Sequence, residues 1–256
     1  MVRIATWNIN SIKARLPHVK AWLEQHQPDA LLLQEIKCVT DAFPTAEIEA
    51  LGYHCTVHGQ PAYHGVAVLS REPAKLHASS LLEDDPQARF LDIEVNGLRI
   101  LNIYAPNGNP LGTEKFDYKL RWLQALHDYA TRLRQARTPF LIAGDFNIIP
   151  EDKDARHPDE WINDALFQPE SRKAWQELLH LGLTDAFRAT NGDLKDAYTF
   201  WDYQAGCWPR NNGIRIDHML LSPPLADRLE KCWIDKEPRA AERPSDHVPL
   251  VVELHS

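Results

Sequence analysis

The sequence places an acid and an amide, Asp145 and Asn147, at the end of the apolar run Phe140–Gly144. This short run follows Pro139 and is typical of a buried strand. Chemistry in α/β folds gathers where strands end, because a rigid strand holds the side chain while the following loop leaves it open to solvent. Side chains two residues apart share a face while strand geometry persists, so we expect both to point the same way. A turn is the alternative interpretation, since Asp and Asn are common turn residues.

Polar side chains recur at the ends of other predicted strands. The strand Arg3–Asn8 ends in the pair Asn8 and Asn10, and the apolar run Ala30–Leu33 leads to Glu35. Taken alone, Glu35 would be interpreted as a solvated acid, because acidic residues usually lie outside. Its position at a strand end, like that of the asparagine pair, makes it a candidate for the same site.

Two further polar groups stand near the C-terminus. Asp217 interrupts the predicted strand Ile214–Leu221 and needs a partner if it is buried. Asp246 and His247 directly precede the predicted terminal strand Val248–Leu254. Asp217 could accept a hydrogen bond from one ring nitrogen of His247, which leaves the other nitrogen to act on a phosphate oxygen or a water.

The polar residues gathered in this way share oxygen donor atoms and include no cysteine. They are Asn8, Asn10, Glu35, Asp145, Asn147, Asp217 and Asp246, with His247 added. Hard oxygen donors favour Mg²⁺ or Mn²⁺, whereas a zinc site recruits more nitrogen or sulfur. A metal-assisted phosphodiester hydrolase needs such a cation, an oriented water and donors for the developing charge.

Length and composition predict one domain, residues 1–256. The 256 residues are 44% hydrophobic, enough for one large core, and they contain no linker or repeat. The four cysteines lack Cys-x-x-Cys spacing, so neither a zinc site nor a disulfide framework is indicated. No signal segment or membrane-spanning run is present, from which we expect a cytoplasmic protein without membrane association. A net charge of −8 argues against binding polyanions by bulk charge, but acids clustered around metal ions are compatible with a nucleic-acid enzyme.

Two strand predictions concern segments near the expected site. An Asn-Gly pair between Arg89–Val95 and Leu98–Tyr104 predicts a hairpin, because both residues accept the positive φ angles of a tight type I′ turn. The second strand of that hairpin brings a phenol, Tyr104, to a rim. The aromatic segment Thr199–Trp201 is also typical of a strand.

Two helices and one ordered excursion complete the prediction. Pro17 suits the first turn of a helix that continues to about His26. The segment Glu114–Arg137 has helical periodicity, and its basic residues, Lys119 among them, are interpreted as a solvated face. The polar segment Glu151–Pro169 contains aromatic and aliphatic residues and is expected to be ordered.

Six sequence blocks resemble, in the same order, those of the exonuclease III family of abasic-site DNA endonucleases. They are Trp7–Ser11, Leu33–Lys37, Asn102–Gly108, Gly144–Asn147, Arg215–His218 and Ser245–His247. The Gly-Asp-x-Asn and Ser-Asp-His blocks alone mark only the broader superfamily of DNase I-like endonucleases, exonucleases and phosphatases. Asn-x-Tyr-x-Pro-Asn together with Arg-Ile-Asp points to the exonuclease III branch, and the resemblance covers essentially the whole chain.

The resemblance implies an α/β fold, a four-layer αββα sandwich of two packed mixed β-sheets flanked by helices, with the site at one edge. It implies a Mg²⁺-dependent DNA repair nuclease, with Mn²⁺ as a substitute. The implied substrate is double-stranded DNA, cleaved 5′ to abasic sites and trimmed of nucleotides or blocked ends at 3′ termini. A monomer is the oligomeric state that the resemblance favours.

The resemblance also assigns roles to the polar residues. It implies that Glu35 holds Mg²⁺ with Asn10 and Asp246 near the ion, within a metal cluster completed by Asn8, Asp145, Asn147 and His247. Asp145 is expected to activate or position the attacking water, and Asn147 to orient it. Tyr104 resembles a phenol that contacts the phosphate, and Asp217 an acid that orients His247 toward the scissile phosphate. Which group takes the proton stays open.

The resemblance further implies a small apolar pocket that admits a sugar lacking its base and excludes an intact nucleotide. The substrate-binding residues expected on this basis are Asn107, Phe200, Trp201 and Ile216. The alternative interpretation of Phe200 and Trp201 is a place in the core. Three departures from the common family pattern, Ser11, Lys13 and Ile214, leave the balance between abasic-site cleavage and 3′ exonuclease action open.

Two other functions remain open at this point. An inositol-phosphate or sphingomyelin phosphodiesterase would keep the fold and change the substrate, but the Tyr104 block and the aromatic pocket argue against it. A non-catalytic nucleic-acid-binding relative should have lost acids from the cluster. No polar position of the cluster is replaced here by an apolar residue, which favours an enzyme.

Overall fold

The chain forms two β-sheets packed face to face, with helices on the outer side of each sheet. This four-layer αββα arrangement confirms the expected fold class, and it is seen in a computed structural model that describes all residues from Met1 to Ser256. Each sheet has six strands and is mixed.

The first sheet brings the N-terminal strand to its centre. In spatial order its strands are β11 (Leu229–Ile234), β12 (Leu250–Leu254), β1 (Val2–Asn8), β2 (Ala30–Gln34), β4 (Val66–Ser70) and β3 (His54–His58). Strands β1 and β2 run parallel, with Asn8 beside Gln34. Because parallel strands end at the same edge, Asn8 and Glu35 arrive at that edge together.

The second sheet carries the strand that the Asp145 block predicts. In spatial order its strands are β5 (Lys75–Ala78), β6 (Phe90–Val95), β7 (Leu98–Tyr104), β8 (Phe140–Asp145), β10 (Asp217–Leu221) and β9 (Thr184–Asp185). Strands β7 and β8 are parallel neighbours, whereas β10 runs antiparallel to β8. The predicted hairpin is confirmed as β6 and β7, with Asn96 and Gly97 both at positive φ in its turn.

Six helices connect or cover the sheets. They are α1 (Ile12–His26), α2 (Thr45–Glu49), α3 (Glu114–Gln135), α4 (Pro169–His180), α5 (Ala186–Asn191) and α6 (Pro223–Ala226). Short 3₁₀ turns order the excursion between β8 and α4, as expected. None of the helices combines the length and hydropathy that crossing a bilayer requires.

The central strands are apolar throughout because both of their faces are buried. Leu32 and Leu141 point into the core between the sheets. Leu31 packs beneath α1, and Ile142 packs beneath α3 and α4. Strands covered on both faces lose the usual alternation of apolar and polar residues, which explains why β2 and β8 appear in the sequence as continuous apolar runs.

A polar link crosses the core just below the edge that carries the site. The Gln34 side chain donates to Asn102 Oδ1 at 2.8 Å and to Thr6 Oγ1 at 2.9 Å. Asn102 in turn donates to the carbonyls of Leu33 and Ala67. These bonds tie β7 of one sheet to β2 and β4 of the other, so they set the position of the residues that follow each strand.

Three predictions about local structure are wrong, and two edge strands were missed. Helix α1 begins at Ile12, five residues before Pro17, because Ser11 caps it by accepting from the Ala14 N–H. The segment Thr199–Trp201 and residues 214–216 form only isolated bridges. Strands β5 and β11 were not predicted, since much of each is exposed and shows no apolar run.

The prediction that Lys119 belongs to a solvated face is also wrong. Its side chain is completely buried, and it lies on the same helical stripe as Trp122, Leu123 and Leu126. Residues three, four and seven positions apart share one face of a helix, so the periodicity of α3 itself places Lys119 inside.

Candidate active site

Three site residues lie in one row across neighbouring strands of the second sheet. The strand register pairs Asp145 with Tyr104 on β7 and with Asp217 on β10. The row requires a close approach of β7 and β8 at Gly144, where an added Cβ would stand 1.9 Å from the Ile103 carbonyl oxygen. Glycine is therefore the residue that this position of the Gly-Asp-x-Asn block needs.

His247 joins the row from the loop before β12. Its Nδ1 lies 2.8 Å from Asp217 Oδ2, and its Nε2 lies 3.7 Å from Asp145 Oδ2. All three residues are at most 4% exposed. The predicted need of Asp217 for a partner is thus met by His247. This arrangement fixes the ring and leaves Nε2 facing the site.

Mutual charge shifts the pKa values of these groups. Burial by itself lowers the pKa of His247, but the carboxylates of Asp217 and Asp145 outweigh it and raise the pKa to about 10. Burial also raises the pKa of Asp145, and the positive charge of His247 opposes that rise. The favoured state near neutral pH has an imidazolium shared between two acids.

Asp145 and Asn147 are joined by a turn and not by strand alternation. The strand ends at Asp145, and Asn147 adopts a left-handed conformation with φ 48°. Its N–H donates to Asp145 Oδ1 at 2.9 Å, and its side-chain amide donates to the Ala105 carbonyl at 2.8 Å. The turn that the residue types indicate is therefore the device that places both side chains at one site.

Asn8 connects the two sheets at this edge. Its buried Nδ2 group donates to Glu35 Oε2 at 2.9 Å and to Asp145 Oδ2 at 3.0 Å. Its Oδ1 accepts from the Asn10 N–H. In this orientation Asn8 acts as a donor between two carboxylates, while its Oδ1 closes a short turn with Asn10.

The outer part of the cluster comprises Asn10, Glu35 and Asp246. The Asn10 amide lies 3.4 Å from Asp246 Oδ1. The Lys37 ammonium lies 2.6 Å from Asn10 Oδ1 and 3.2 Å from Glu35 Oε1. Burial, followed by the charge of Glu35, raises the pKa of Asp246 above its ordinary value. The Lys37 ammonium group thus lies between two of the expected ligand oxygens.

These residues fit a hard divalent cation. The donor set is dominated by carboxylate and carboxamide oxygens, and a buried oxygen of Asp217, Oδ1, has no hydrogen-bond partner. Ligand atoms of Asp145, Asp217 and His247 lie within 4.8 Å of one another. However, Asp217 and the Nδ1 atom of His247 already bond to each other, whereas the Glu35 carboxylate is partly exposed and can be reached by a cation from solvent. The raised pKa values of the buried acids Asp145 and Asp246 indicate that too little positive charge lies beside them, and a bound cation would supply it.

Tyr104 stands at the rim between two nitrogen-bearing side chains. The Arg89 guanidinium lies 4.7 Å from its ring centroid, and the His64 ring lies 6.0 Å away. Burial, followed by the charge of Glu35, raises the pKa of Tyr104. Its hydroxyl therefore stays protonated and is available as a donor.

The four residues expected to line the pocket differ in how far they are exposed. Phe200 is half-buried, and its ring centroid lies 5.0 Å from that of His247 in an edge-to-face arrangement, whereas Asn107 is exposed. Trp201 is completely buried against Tyr198 and donates to Asn211, and Ile216 is 2% exposed. The interpretation of Trp201 as core is the one that its packing supports.

A family model described as the Endonuclease/Exonuclease/phosphatase family matches residues 5–247 of this chain. The chain belongs to that family. It is 37% identical to exodeoxyribonuclease III of Haemophilus influenzae, over 99% of this chain and 100% of that protein. These two matches confirm the resemblance to the exonuclease III family that the six sequence blocks indicate.

Solved structures of family members superpose over the full length. A 3′ phosphatase, NExo from Neisseria, solved with a product DNA hairpin, has a TM-score of 0.96 and 39% identity, with both chains covered completely. An AP endonuclease from Archaeoglobus fulgidus has a TM-score of 0.96 and 36% identity, again with complete coverage of both chains. Proteins similar to this chain therefore include ones named for two related activities.

Several residues that shape this family site were not singled out from the sequence. Ser245 donates to the Asn8 carbonyl at 2.6 Å and accepts from the His247 N–H, so it holds the His247 loop against β1. Thr199 Oγ1 accepts from the N–H groups of Ile216 and Asp217. Ser245 and Lys37 lie inside the quoted blocks, and that position was the available signal.

Proposed function

We propose that this chain is a Mg²⁺-dependent DNA repair nuclease of the exonuclease III type, acting as a monomer. It hydrolyses the phosphodiester bond 5′ to an abasic site and removes nucleotides or blocked ends from 3′ termini of duplex DNA. The observation that carries the proposal is the row of Tyr104, Asp145 and Asp217 with His247, placed beside the acids of the first sheet. The names of the related proteins support the same class of substrate.

Each residue of the row has a distinct part in the reaction. Asp145 is the acceptor that positions the attacking water, and Asn147 orients that water from the adjoining turn. The His247 imidazolium, held by Asp217, donates from Nε2 to a phosphate oxygen, and Tyr104 donates from its hydroxyl. A Mg²⁺ ion held by Glu35, Asn10 and Asp246 would supply positive charge that stabilises the phosphate in the transition state. Donors fixed before the reaction stabilise developing charge better than mobile water does.

A labelled duplex that contains one abasic analogue tests the proposal on a denaturing gel. We expect one cut 5′ to the analogue and, on a second duplex, release of a 3′-phosphate or stepwise shortening, both only with Mg²⁺. A soluble inositol phosphate and sphingomyelin are assayed in parallel, because other phosphodiesterases with this fold act on them. Turnover of either with no cleavage of DNA would overturn the proposal, and so would duplex binding without cleavage.

Asp217→Asn is expected to shift the alkaline limb of the pH–rate profile to lower pH. Burial lowers the pKa of His247, whereas the Asp217 carboxylate is the largest influence that raises it to about 10. Without that carboxylate the imidazolium loses its proton at a lower pH, so its donated hydrogen bond is lost sooner. We expect kcat at about pH 8 to fall by about 10²-fold.

The profile is measured as kcat and kcat/KM at saturating Mg²⁺. Asp235→Asn is the control, because Asp235 is a buried acid that bonds Trp22 instead of the site. An alkaline limb at the same pH in Asp217→Asn and the wild type would contradict the assigned protonation of His247.

Phe200→Ala is expected to reduce the preference for abasic sites. The half-buried Phe200 ring lies against His247 and limits the space beside the scissile phosphate. Its removal makes room for an intact nucleotide, so the ratio of abasic-site cleavage to internal cleavage at normal nucleotides should fall by about tenfold. The measurement is kcat/KM on matched duplexes. Trp233→Ala, on β11 of the other sheet, is the aromatic control and should leave the ratio unchanged.

A further inference from the structure

A charged side chain lies behind the active-site turn, inside the protein. Lys119 of α3 is 0% exposed, and its neighbours on the helix stripe are Trp122 and Leu123. Lysine is among the residues least often fully buried, because its ammonium group loses its hydration. Burial at this position therefore needs strong compensating contacts.

The contacts that compensate are two main-chain carbonyls. The Lys119 ammonium donates to the Asn147 carbonyl at 2.5 Å and to the Asn107 carbonyl at 3.0 Å. No carboxylate pairs with it directly, and the charges of Asp164 and Asp145 act on it from a longer distance. The ammonium group is thus used as a main-chain donor and not as one half of an ion pair.

The two carbonyls belong to different loops of the active site. Asn107 follows β7, the strand of Tyr104, and Asn147 follows β8, the strand of Asp145. With the Lys119 contact, the N–H, the side-chain amide and the carbonyl of Asn147 are all bonded. A residue in the left-handed conformation is strained and persists only where its surroundings hold it, and Lys119 supplies one of these three restraints.

The packing around the lysine stem is also specific. A Cβ added at Gly108 would stand 2.6 Å from Lys119 Cδ. Gly108 has φ 88°, so both its backbone conformation and the adjoining stem favour glycine. The loop after β7 is therefore shaped around Lys119.

We propose that Lys119 is a positioning residue, whose ammonium group holds the Asn147 and Asn107 carbonyls and thereby sets the Asn147 side chain for its work on the attacking water. The proposal rests on the nuclease function proposed above. It makes Lys119 act through Asn147, without contact with the substrate.

Lys119→Met removes the charge and the donors while keeping an unbranched stem. We expect kcat on the abasic duplex to fall by about 10²-fold, with KM within about threefold, because a small misplacement of a water-orienting group reduces the rate more than binding. Lys115→Met is the matched control, since Lys115 lies on the exposed side of α3, and it should retain wild-type kcat. If Lys119→Met does not fold, Lys119→Gln takes its place, because its amide keeps N–H donors but carries no charge, and the same fall in kcat is expected.

A double-mutant cycle separates positioning from a general loss of structure. In an Asn147→Ala background no side chain remains to be positioned, so Lys119→Met should lower the single-turnover rate by less than about threefold. An equal loss in both backgrounds would overturn the proposal, and so would unchanged kcat in Lys119→Met. Failure of the wild type to cleave DNA would instead count against the proposed function, since the cycle compares variants only with an active parent.

Discussion

Asp145→Asn is expected to lower cleavage at abasic sites by about 10³-fold to 10⁴-fold, while binding of the duplex persists. The carboxylate lies between the Asn8 amide and His247 Nε2, and its second oxygen accepts from the Asn147 N–H. Asparagine has nearly the same shape but carries no charge and cannot accept the proton of a water. The loss should therefore appear in the chemical step and not in the binding of DNA.

Single-turnover rates and fluorescence anisotropy with a labelled abasic duplex measure the two quantities separately. Asp193→Asn is the control, because Asp193 is an exposed acid paired with Lys153. A rate within tenfold of wild type in Asp145→Asn would remove Asp145 from the mechanism. A parallel loss of binding would indicate that its main effect is on the shape of the site.

Removal of divalent metal is expected to abolish cleavage, to below about one part in 10³ of the wild-type rate, and Mg²⁺ or Mn²⁺ should restore it. Burial raises the pKa values of Asp145 and Asp246, which indicates acids without sufficient positive charge around them. A cation that binds the ionised acids should also raise the Tm, because it binds the folded state preferentially. That rise should diminish at low pH, where protons compete for the same oxygens.

Glu35→Gln sharpens this test. It should increase the Mg²⁺ concentration needed for half-maximal rate, because one ligand charge is lost beside Asn10. Glu237→Gln, an exposed acid near the far end of α1, should leave that concentration unchanged. Full activity in EDTA would end the proposed role of the metal.

The strands next to the site were predictable because their apolar residues are followed directly by polar residues. In β2 and β8 both faces are buried, so the residues are apolar until Gln34, Glu35 or Asp145 ends the run. Strands β5 and β11 lie at sheet edges and are partly exposed, so no such contrast marks them. Ile214 and Ile216 are apolar because they are buried, although their segment forms only bridges, and composition alone could not distinguish such a segment from a strand.

Residue type also predicted less about the contacts than about the chemistry. Asn8 was gathered into the cluster for its oxygen, and the contacts that could not be read from the sequence are those of its amide nitrogen, which donates to two carboxylates. Trp201 was open between the pocket and the core, and it packs in the core. Lys119 was assigned to solvent, yet it holds two active-site loops. In each case the side chain allows several partners, and its neighbours in space select one.

The sequence by itself determined which donors, acids and bases this protein has, the class of cation they suit and the strands that carry most of them. The tertiary structure alone decided the row of Tyr104, Asp145 and Asp217, because strand register is set by pairing between distant segments. The same holds for the Trp7 bond to the His247 carbonyl, which joins residues 240 positions apart. Local chemistry is a property of each residue, whereas partners and pKa values depend on what the folded chain brings within a few ångströms.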